Sequence, residues 1–187
     1  LKKENGKNID SHYDVIRFNK AITKNFEKFV GEKTTLRIIN NHVFQSLKKD
    51  GINEILSTNI AVVSPFTFTD TDKKNIQNNK NKYFFFEGKL KQFIICFYFV
   101  THIDIFLKLI NLIKNKNFSA GFLTILICVA SNIKPNVFGF DLSEDMSKRS
   151  HYHVKNFPIG GVHNLAQEHM ILKLLKMKGL IKIYDVE

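Results

Sequence analysis

Two histidines in irregular stretches of this sequence are well placed for proton transfer. His151 lies in the run Ser-His-Tyr-His-Val, and His163 directly precedes a predicted closing helix that carries Glu168. Imidazole titrates near neutrality, so either histidine could remove a proton or stabilise an anion as a cation. Because Glu168 is five positions from His163, it can support the loop bearing that histidine only if His163 lies outside the helix. Surface histidines without a chemical role are the alternative.

A serine and a glycine stand at the entrance of another predicted helix, in Phe118-Ser119-Ala120-Gly121. The backbone N–H groups at the positive end of a helix favour an anion such as a phosphate. Serine is also a preferred N-cap residue, and caps are commoner than phosphate sites. The pattern therefore indicates either an ordinary cap or an anion site.

Polar side chains interrupt the stretch HYDVIRFN, which otherwise reads as a strand. Alternation along a strand places Val15, Arg17 and Asn19 on one face. A buried arginine and a terminal asparagine are costly unless each finds hydrogen-bond partners. We expect either a turn or a ligand to supply those partners.

The composition predicts one globular domain with a sizeable core. The chain has 187 residues, 44% of them hydrophobic, and a formal charge of +11, yet only three of its 28 basic residues are arginines. Lysine-dominated charge favours a solvated surface or an anionic small substrate over nucleic acid. Cys96 and Cys128 belong to no C-x-x-C motif or Cys/His cluster, so no zinc site is expected. Both read as small buried thiols, and a disulfide between them is the alternative. Residues 93–113 are apolar, but His102, Asp104 and Lys108 argue against a membrane span.

Strands and helices alternate along the chain, which favours a mostly parallel sheet with helices on both faces. Such sheets bind ligands at the carboxyl ends of their strands. The predicted helices are His42–Leu47, a helix ending near Lys114, an apolar helix after Ser119, and Asn164–Met177 followed by Gly179 as the C′ residue. The predicted strands are Tyr13–Phe18, Thr34–Ile39, Ile60–Val63, Phe93–Val100, Asn136–Phe140 and Leu180–Tyr184.

Residues 6–40 resemble the latter part of the large sialylmotif of the eukaryote-type sialyltransferases, glycosyltransferase family 29. The family pattern G-x-x-I-D-x-x-D-x-V-x-R-x-N, then G-F-E-x-x-V-G-x-(R/K)-T-T, is matched at Gly6, Ile9, Asp10, Asp14, Val15, Arg17, Asn19, Phe26, Glu27, Val30, Gly31, Lys33, Thr34 and Thr35. Further segments follow in the family's order. They are Pro65, Phe66 and Asp70 of P-F-K-x-x-D; Ser119, Gly121, Gly139 and Phe140 of the small sialylmotif; His151 and Tyr152 of motif III; and His163 and Glu168 of the very small motif.

The resemblance implies a fold and a reaction. The fold would be a single Rossmann-like domain of the variant GT-A type over residues 1–187, lacking the family's first strand and its G-N-S donor loop. The reaction would move sialic acid, or a related acidic sugar, from its cytidine monophosphate (CMP) conjugate to a glycan hydroxyl, with inversion and without a metal or other cofactor. The expected partners are the CMP-sugar donor and a glycan acceptor, with no nucleic acid and no membrane span.

The resemblance also implies roles for particular residues. His163 would be the catalytic base, and His151 would face the donor phosphate. Arg17, Asp14 and Glu168 would support the structure. The donor would be bound by Asn19, Ser119, Ala120, Gly121, Gly139, Phe140 and Tyr152.

Several positions depart from the family pattern. Phe118 and Ala120 replace the proline and the hydroxyl residue of P-S-T-G, and Asn132 stands where the small motif carries a disulfide cysteine. The family expectation is the Golgi lumen, but the missing cysteine favours a cytoplasmic protein of bacterial or viral type. A degenerate, non-catalytic basic module that binds anionic glycans or nucleic acid is the alternative function.

Overall fold

The computed structural model of the chain describes residues 3–40, 43, 44, 46, 59–64, 83–87, 89–140, 142 and 163–184. The chain divides into two compact units. We call Glu4–Lys89 the N-terminal unit, and Leu90–Glu187 with Leu1–Lys3 the C-terminal unit. The expectation of one domain over residues 1–187 stays a prediction.

The N-terminal unit contains a four-stranded parallel sheet in the order β1-β2-β3-β4. Arg17 pairs with Arg37 across the first two strands, and Ile38 pairs with Ala61 across the next two. The carboxyl ends of parallel strands meet at one edge, which in α/β sheets is where ligands bind. The strands are β1 (Ile16–Phe18), β2 (Leu36–Asn40), β3 (Asn59–Ser64) and β4 (Tyr83–Glu87), and the short helices are α1 (Gly6–Asp10) and α2 (Glu27–Val30).

The C-terminal unit is built from helices around a pair of short parallel strands. Its helices are α3 (Lys89–Phe97), α4 (Ile103–Asn115), α5 (Ala120–Ala130) and α6 (Leu165–Met177), and its strands are β5 (Asn136–Phe138) and β6 (Lys182–Tyr184). Apolar side chains of the last three helices form a solvent-free core, as burial of their apolar faces requires. Its fully buried members include Leu109, Leu112, Leu123, Leu126, Leu172 and Leu175.

The end of α6 shows why the chain turns where the sequence predicts. Gly179 has φ +69°, a left-handed conformation that glycine adopts without steric cost. Its N–H donates to the Lys176 carbonyl, and the N–H of Leu180 donates to the Leu175 carbonyl. This pair of bonds is a Schellman motif, which ends the helix and directs the chain into β6.

Parallel strands and helices confirm the α/β class. One predicted element is wrong: Phe93–Val100 is not a strand, because residues 89–97 form α3. Burial of Gln92, Ile95, Cys96 and Phe99 follows the three- and four-residue spacing of a helix face, and this packing outweighs the local preference of the β-branched and aromatic residues for strands.

The strand β4, in the aromatic run that follows the lysine- and asparagine-rich tract, was missed by the sequence analysis. Among the described residues, no helix combines the length and the apolar character needed to cross a bilayer.

Candidate functional site

His163 lies directly before Asn164, the N-cap residue of α6. The helix is capped by Asn164, whose side-chain oxygen accepts a hydrogen bond from the N–H of Gln167 (3.2 Å). His163 is half-buried, and its Nδ1–H donates to the backbone carbonyl of Asn117 (2.9 Å). Since a carbonyl can only accept, Nδ1 carries the proton. The other ring nitrogen, Nε2, then bears the lone pair of the neutral imidazole and can accept a proton.

Glu168 lies in the first turn of α6 and is 2% exposed. Its Oε1 accepts from the backbone N–H of Ser119 (2.7 Å), and its Oε2 accepts from the hydroxyl of the same residue (2.6 Å). Burial raises the pKa of Glu168 to about 7, while the two bonds from Ser119 act in the opposite direction. His163 and Glu168 therefore both bind the same segment, Asn117–Ser119.

Ser119 is the N-cap of α5. Its hydroxyl oxygen accepts from the N–H of Phe122 (3.3 Å) while its proton is directed at Glu168. The cap predicted as the ordinary role of this serine is thus present. The N–H groups of Ala120 and Gly121 make no hydrogen bond to any described residue, and they lie at the positive end of the helix.

Gly121 and Phe140 are in close contact. A Cβ placed on Gly121 would lie 2.8 Å from the Cζ atom of the Phe140 ring, so the ring needs a glycine beneath it. Gly139, with φ +75°, turns the chain between β5 and Phe140. The structure therefore brings an aromatic ring to the start of α5.

Asn19 ends β1 in the N-terminal unit. Its N–H donates to the Ile38 carbonyl (2.8 Å), and its φ is +49°. The side-chain oxygen of Asn19 accepts from the N–H of Asn40, at the carboxyl end of β2 (3.0 Å). The side-chain nitrogen makes no hydrogen bond to any residue that the structure describes. Asn19 thus fixes the ends of two strands and keeps a donor group at the edge of the sheet.

Arg17 is 8% exposed, and its guanidinium binds the segment after α2. Nη2 donates to the Val30 carbonyl (2.8 Å), and Nε donates to the Lys33 carbonyl and the Thr34 hydroxyl (both 3.1 Å). The hydrogen-bond partners that the strand pattern predicts for Arg17 are therefore supplied by the protein itself. Asp14, the other proposed support in this unit, is exposed, and its carboxylate makes no hydrogen bond or ion pair within the described part of the chain.

The segment that Arg17 binds is also held by Asp10. The carboxylate of Asp10 accepts from the N–H of Glu32 (3.1 and 2.9 Å) and of Lys33 (3.0 Å). Gly31 adopts φ +71°, and a Cβ there would lie 2.2 Å from Oδ1 of Asp10. Asp10 and Gly31 both match the large sialylmotif, but no role for either residue was predicted from the sequence.

Cys96, Cys128 and Asn132 are the residues that bear on the cellular compartment of the protein. Cys96 and Cys128 are free thiols, and burial raises the pKa of both, that of Cys96 to about 12. Asn132 has φ +59° just after α5, a left-handed position that asparagine tolerates well. Asparagine at position 132 is thus well suited to the turn that follows α5.

Some predicted residues cannot be placed. His151, Tyr152, Pro65, Phe66 and Asp70 lie outside the described residues. Within the described ranges, no group of three His, Cys, Asp or Glu side chains could hold a metal ion. Asp70 and Asp72 form a D-x-D pair that the sequence analysis overlooked, and they too lie outside those ranges. Metal independence therefore stays a prediction.

Comparisons with known proteins agree with the resemblance. A family model described as Glycosyltransferase family 29 (sialyltransferase) matches residues 1–180. Beta-galactoside alpha-2,6-sialyltransferase 2 of Rattus norvegicus is 27% identical over 186 residues, covering 91% of this chain and 35% of that protein. The Homo sapiens protein of the same name is 27% identical over 188 residues, with 92% and 35% covered. The chain thus spans about a third of the length of these curated relatives.

A solved structure supports the fold. The crystal structure of a mammalian sialyltransferase superposes with a TM-score of 0.67 at 21% identity, covering 98% of this chain and 64% of the other. The same type of protein in complex with Gal-beta-1-3GalNAc-ortho-nitrophenol gives 0.66 at 20% identity, with the same coverage. At this identity the likeness shows the fold alone.

Proposed function

Since this chain belongs to glycosyltransferase family 29, the sialyltransferases, we propose that it transfers sialic acid, or a related acidic sugar, from a CMP conjugate to a hydroxyl of a glycan. The transfer inverts the anomeric carbon and uses no metal. The fold is that of a single Rossmann-like domain of the variant GT-A type. The names of the relatives suggest a β-galactoside as the first acceptor to try.

The hydrogen bond between His163 and Asn117 is the observation that carries the proposal. The attacking hydroxyl must lose its proton as it reaches the anomeric carbon, so a base is needed beside it. The Asn117 carbonyl keeps the proton of neutral His163 on Nδ1 and leaves Nε2 to accept the proton of the hydroxyl. His163 is the base in this proposal, and Glu168 supports it by holding Ser119.

The departing nucleotide is an anion and needs donors on the opposite side of the sugar from the base. The N–H groups of Ala120 and Gly121 at the start of α5 are suited to this role. The side-chain hydroxyl of Ser119 contributes by capping that helix start. Further donor contacts are assigned by resemblance to the motifs, from Asn19, Gly139, Phe140 and Tyr152, with His151 at the phosphate.

The alternative of a non-catalytic basic module is not favoured, because the family match extends over residues 1–180. The curated relatives are animal sialyltransferases, and on that ground we propose the Golgi lumen as the compartment. The free thiols of Cys96 and Cys128 are the observation that favours a reducing compartment instead.

Transfer of labelled sialic acid from CMP-sialic acid to a β-galactoside acceptor tests the proposal. We expect product formation that CMP inhibits and that excess EDTA leaves unchanged. Nucleic-acid binding that falls steeply with salt, with no saturable CMP binding, would support the alternative. Loss of activity with EDTA would instead contradict metal independence. Asp70 and Asp72 would then be the first residues to test as metal ligands.

A further inference from the structure

The buried glutamine on α3 has no part in the function described so far. Gln92 is 1% exposed, and its Oε1 accepts a hydrogen bond from the N–H of Phe118 (3.0 Å). The N–H of Phe118 and the carbonyl of Asn117 belong to the same peptide group. That carbonyl is the acceptor for Nδ1–H of His163. One peptide plane thus joins Gln92 to His163.

We propose that Gln92 is a positioning residue, which sets the tautomer and orientation of His163 by holding the Asn117–Phe118 peptide. The inference rests on the proposed function only for its effect on catalysis. Because a peptide group is planar, fixing its N–H also fixes the direction of its carbonyl. The three groups form a continuous chain of hydrogen bonds, in which each bond polarises the next.

Burial makes the contribution of Gln92 hard to replace. Phe118 is 3% exposed, so water cannot readily reach its N–H if the glutamine oxygen is removed. The peptide would then gain by rotating towards another acceptor, since an unsatisfied buried N–H is costly. Rotation would carry the Asn117 carbonyl away from His163. The next peptide is held separately, through the bond from the N–H of Ser119 to Glu168.

Nuclear magnetic resonance of nitrogen-15-labelled histidine in the whole chain tests the inference directly. In the wild-type protein we expect neutral His163 to carry its proton on Nδ1. Gln92→Leu should reduce the Nδ1–H form, while Gln92→Glu, which keeps an acceptor oxygen, should retain more of it. Thr124→Val is the matched control, because it removes a buried hydroxyl whose bond, to the Ala120 carbonyl (2.8 Å), stays within α5.

Kinetics provide a second readout. We expect Gln92→Leu to lower kcat roughly 100-fold through misplacement of the base, with the KM for the CMP-sugar changed less than about threefold. An unchanged His163 tautomer in Gln92→Leu would overturn this inference and leave the proposed function intact. A shifted tautomer in a chain that transfers no sugar would support the inference while the proposed function fails.

The wild-type chain offers a test that does not depend on the folding of any variant. Because the N–H of Phe118 is buried and bonded to Gln92, we expect slow exchange of this amide with solvent deuterium. Exchange as fast as that of an exposed loop amide would overturn the inference. Slow exchange together with protonation of His163 on Nδ1 would support it.

Discussion

Glu168 binds Ser119 through both of its carboxylate oxygens, although 49 positions separate the two residues. One bond satisfies the backbone N–H of Ser119, and the other takes the proton of the hydroxyl that caps α5. The start of α5 is therefore joined directly to the first turn of α6. His163 precedes α6 and binds Asn117, two residues before Ser119. The proposed base and the proposed anion site thus share one anchor.

We predict an unusual pH dependence from Glu168. Burial raises its pKa from 4.5 to about 7 in the folded chain, so between these pH values the folded state keeps a proton that the unfolded state has lost. The free energy of unfolding should therefore fall as the pH rises through this range, by at most roughly 3 kcal/mol for this group. Glu168→Gln removes the titration and should gain stability relative to the wild type as the pH rises, which urea unfolding at a series of pH values measures.

Glu27→Gln is the control for that experiment. Hydrogen bonds from its own backbone N–H and from that of Asn25 lower the pKa of this exposed carboxylate. The ionised Glu27 carboxylate stabilises the folded chain above its unfolded pKa, and this effect is lost as the pH falls. The free energy of unfolding of Glu27→Gln, relative to the wild type, should therefore decrease as the pH rises, whereas that of Glu168→Gln should increase. A Glu168→Gln curve that stays parallel to the wild type would show that Glu168 titrates normally.

Two glycines with nearly the same φ should respond differently to alanine. Gly31 has φ +71° and ψ 176°, and its new Cβ would lie 2.2 Å from Asp10, whereas Gly179 has φ +69° and open space around it. We expect Gly179→Ala to lower the free energy of unfolding by about 1 kcal/mol from backbone strain. Gly31→Ala should cost at least about 2 kcal/mol more, because it adds a steric clash and a less accessible backbone conformation. Equal losses in urea unfolding would contradict the Asp10 contact.

The contact between Gly121 and Phe140 should appear as coupling between two substitutions. Gly121→Ala places a Cβ 2.8 Å from the ring and should destabilise the chain by about 1–3 kcal/mol. In a chain that already carries Phe140→Ala, the same change should cost much less. A double-mutant cycle by urea unfolding measures the difference. Additive effects would mean that the ring does not rest on Gly121.

Local signals predicted several parts of this fold. The N-cap serine Ser119 and the C′ glycine Gly179 indicated the ends of helices correctly, because capping depends on neighbouring residues alone. The closing helix predicted to begin at Asn164 also placed His163 outside α6, as the structure has it. The polar face of the first strand also indicated that Arg17 and Asn19 must find partners, which the structure supplies from Val30, Lys33, Thr34 and Asn40.

Other features depend on long-range packing and could not be read locally. Phe93–Val100 has strand-like composition but forms a helix and a turn, because Gln92, Cys96 and Phe99 are buried on one side. Nothing near Glu168 in the sequence indicates Ser119 as its partner. The contact between Gln92 and Phe118 joins residues 26 positions apart, and Gln92 lies outside every motif matched in the sequence.

The most direct test of the central claim is the effect of His163→Ala on turnover and on CMP binding, measured in the same preparations. The rate of sialic acid transfer should fall roughly 100- to 10,000-fold, the usual contribution of a general base, while the Kd for CMP from titration calorimetry changes less than about threefold. His102→Ala, at a histidine that makes no side-chain cap bond at the start of α4, should leave both quantities unchanged. Turnover of His163→Ala at the wild-type rate would contradict the assignment of the base and, with it, the proposed mechanism.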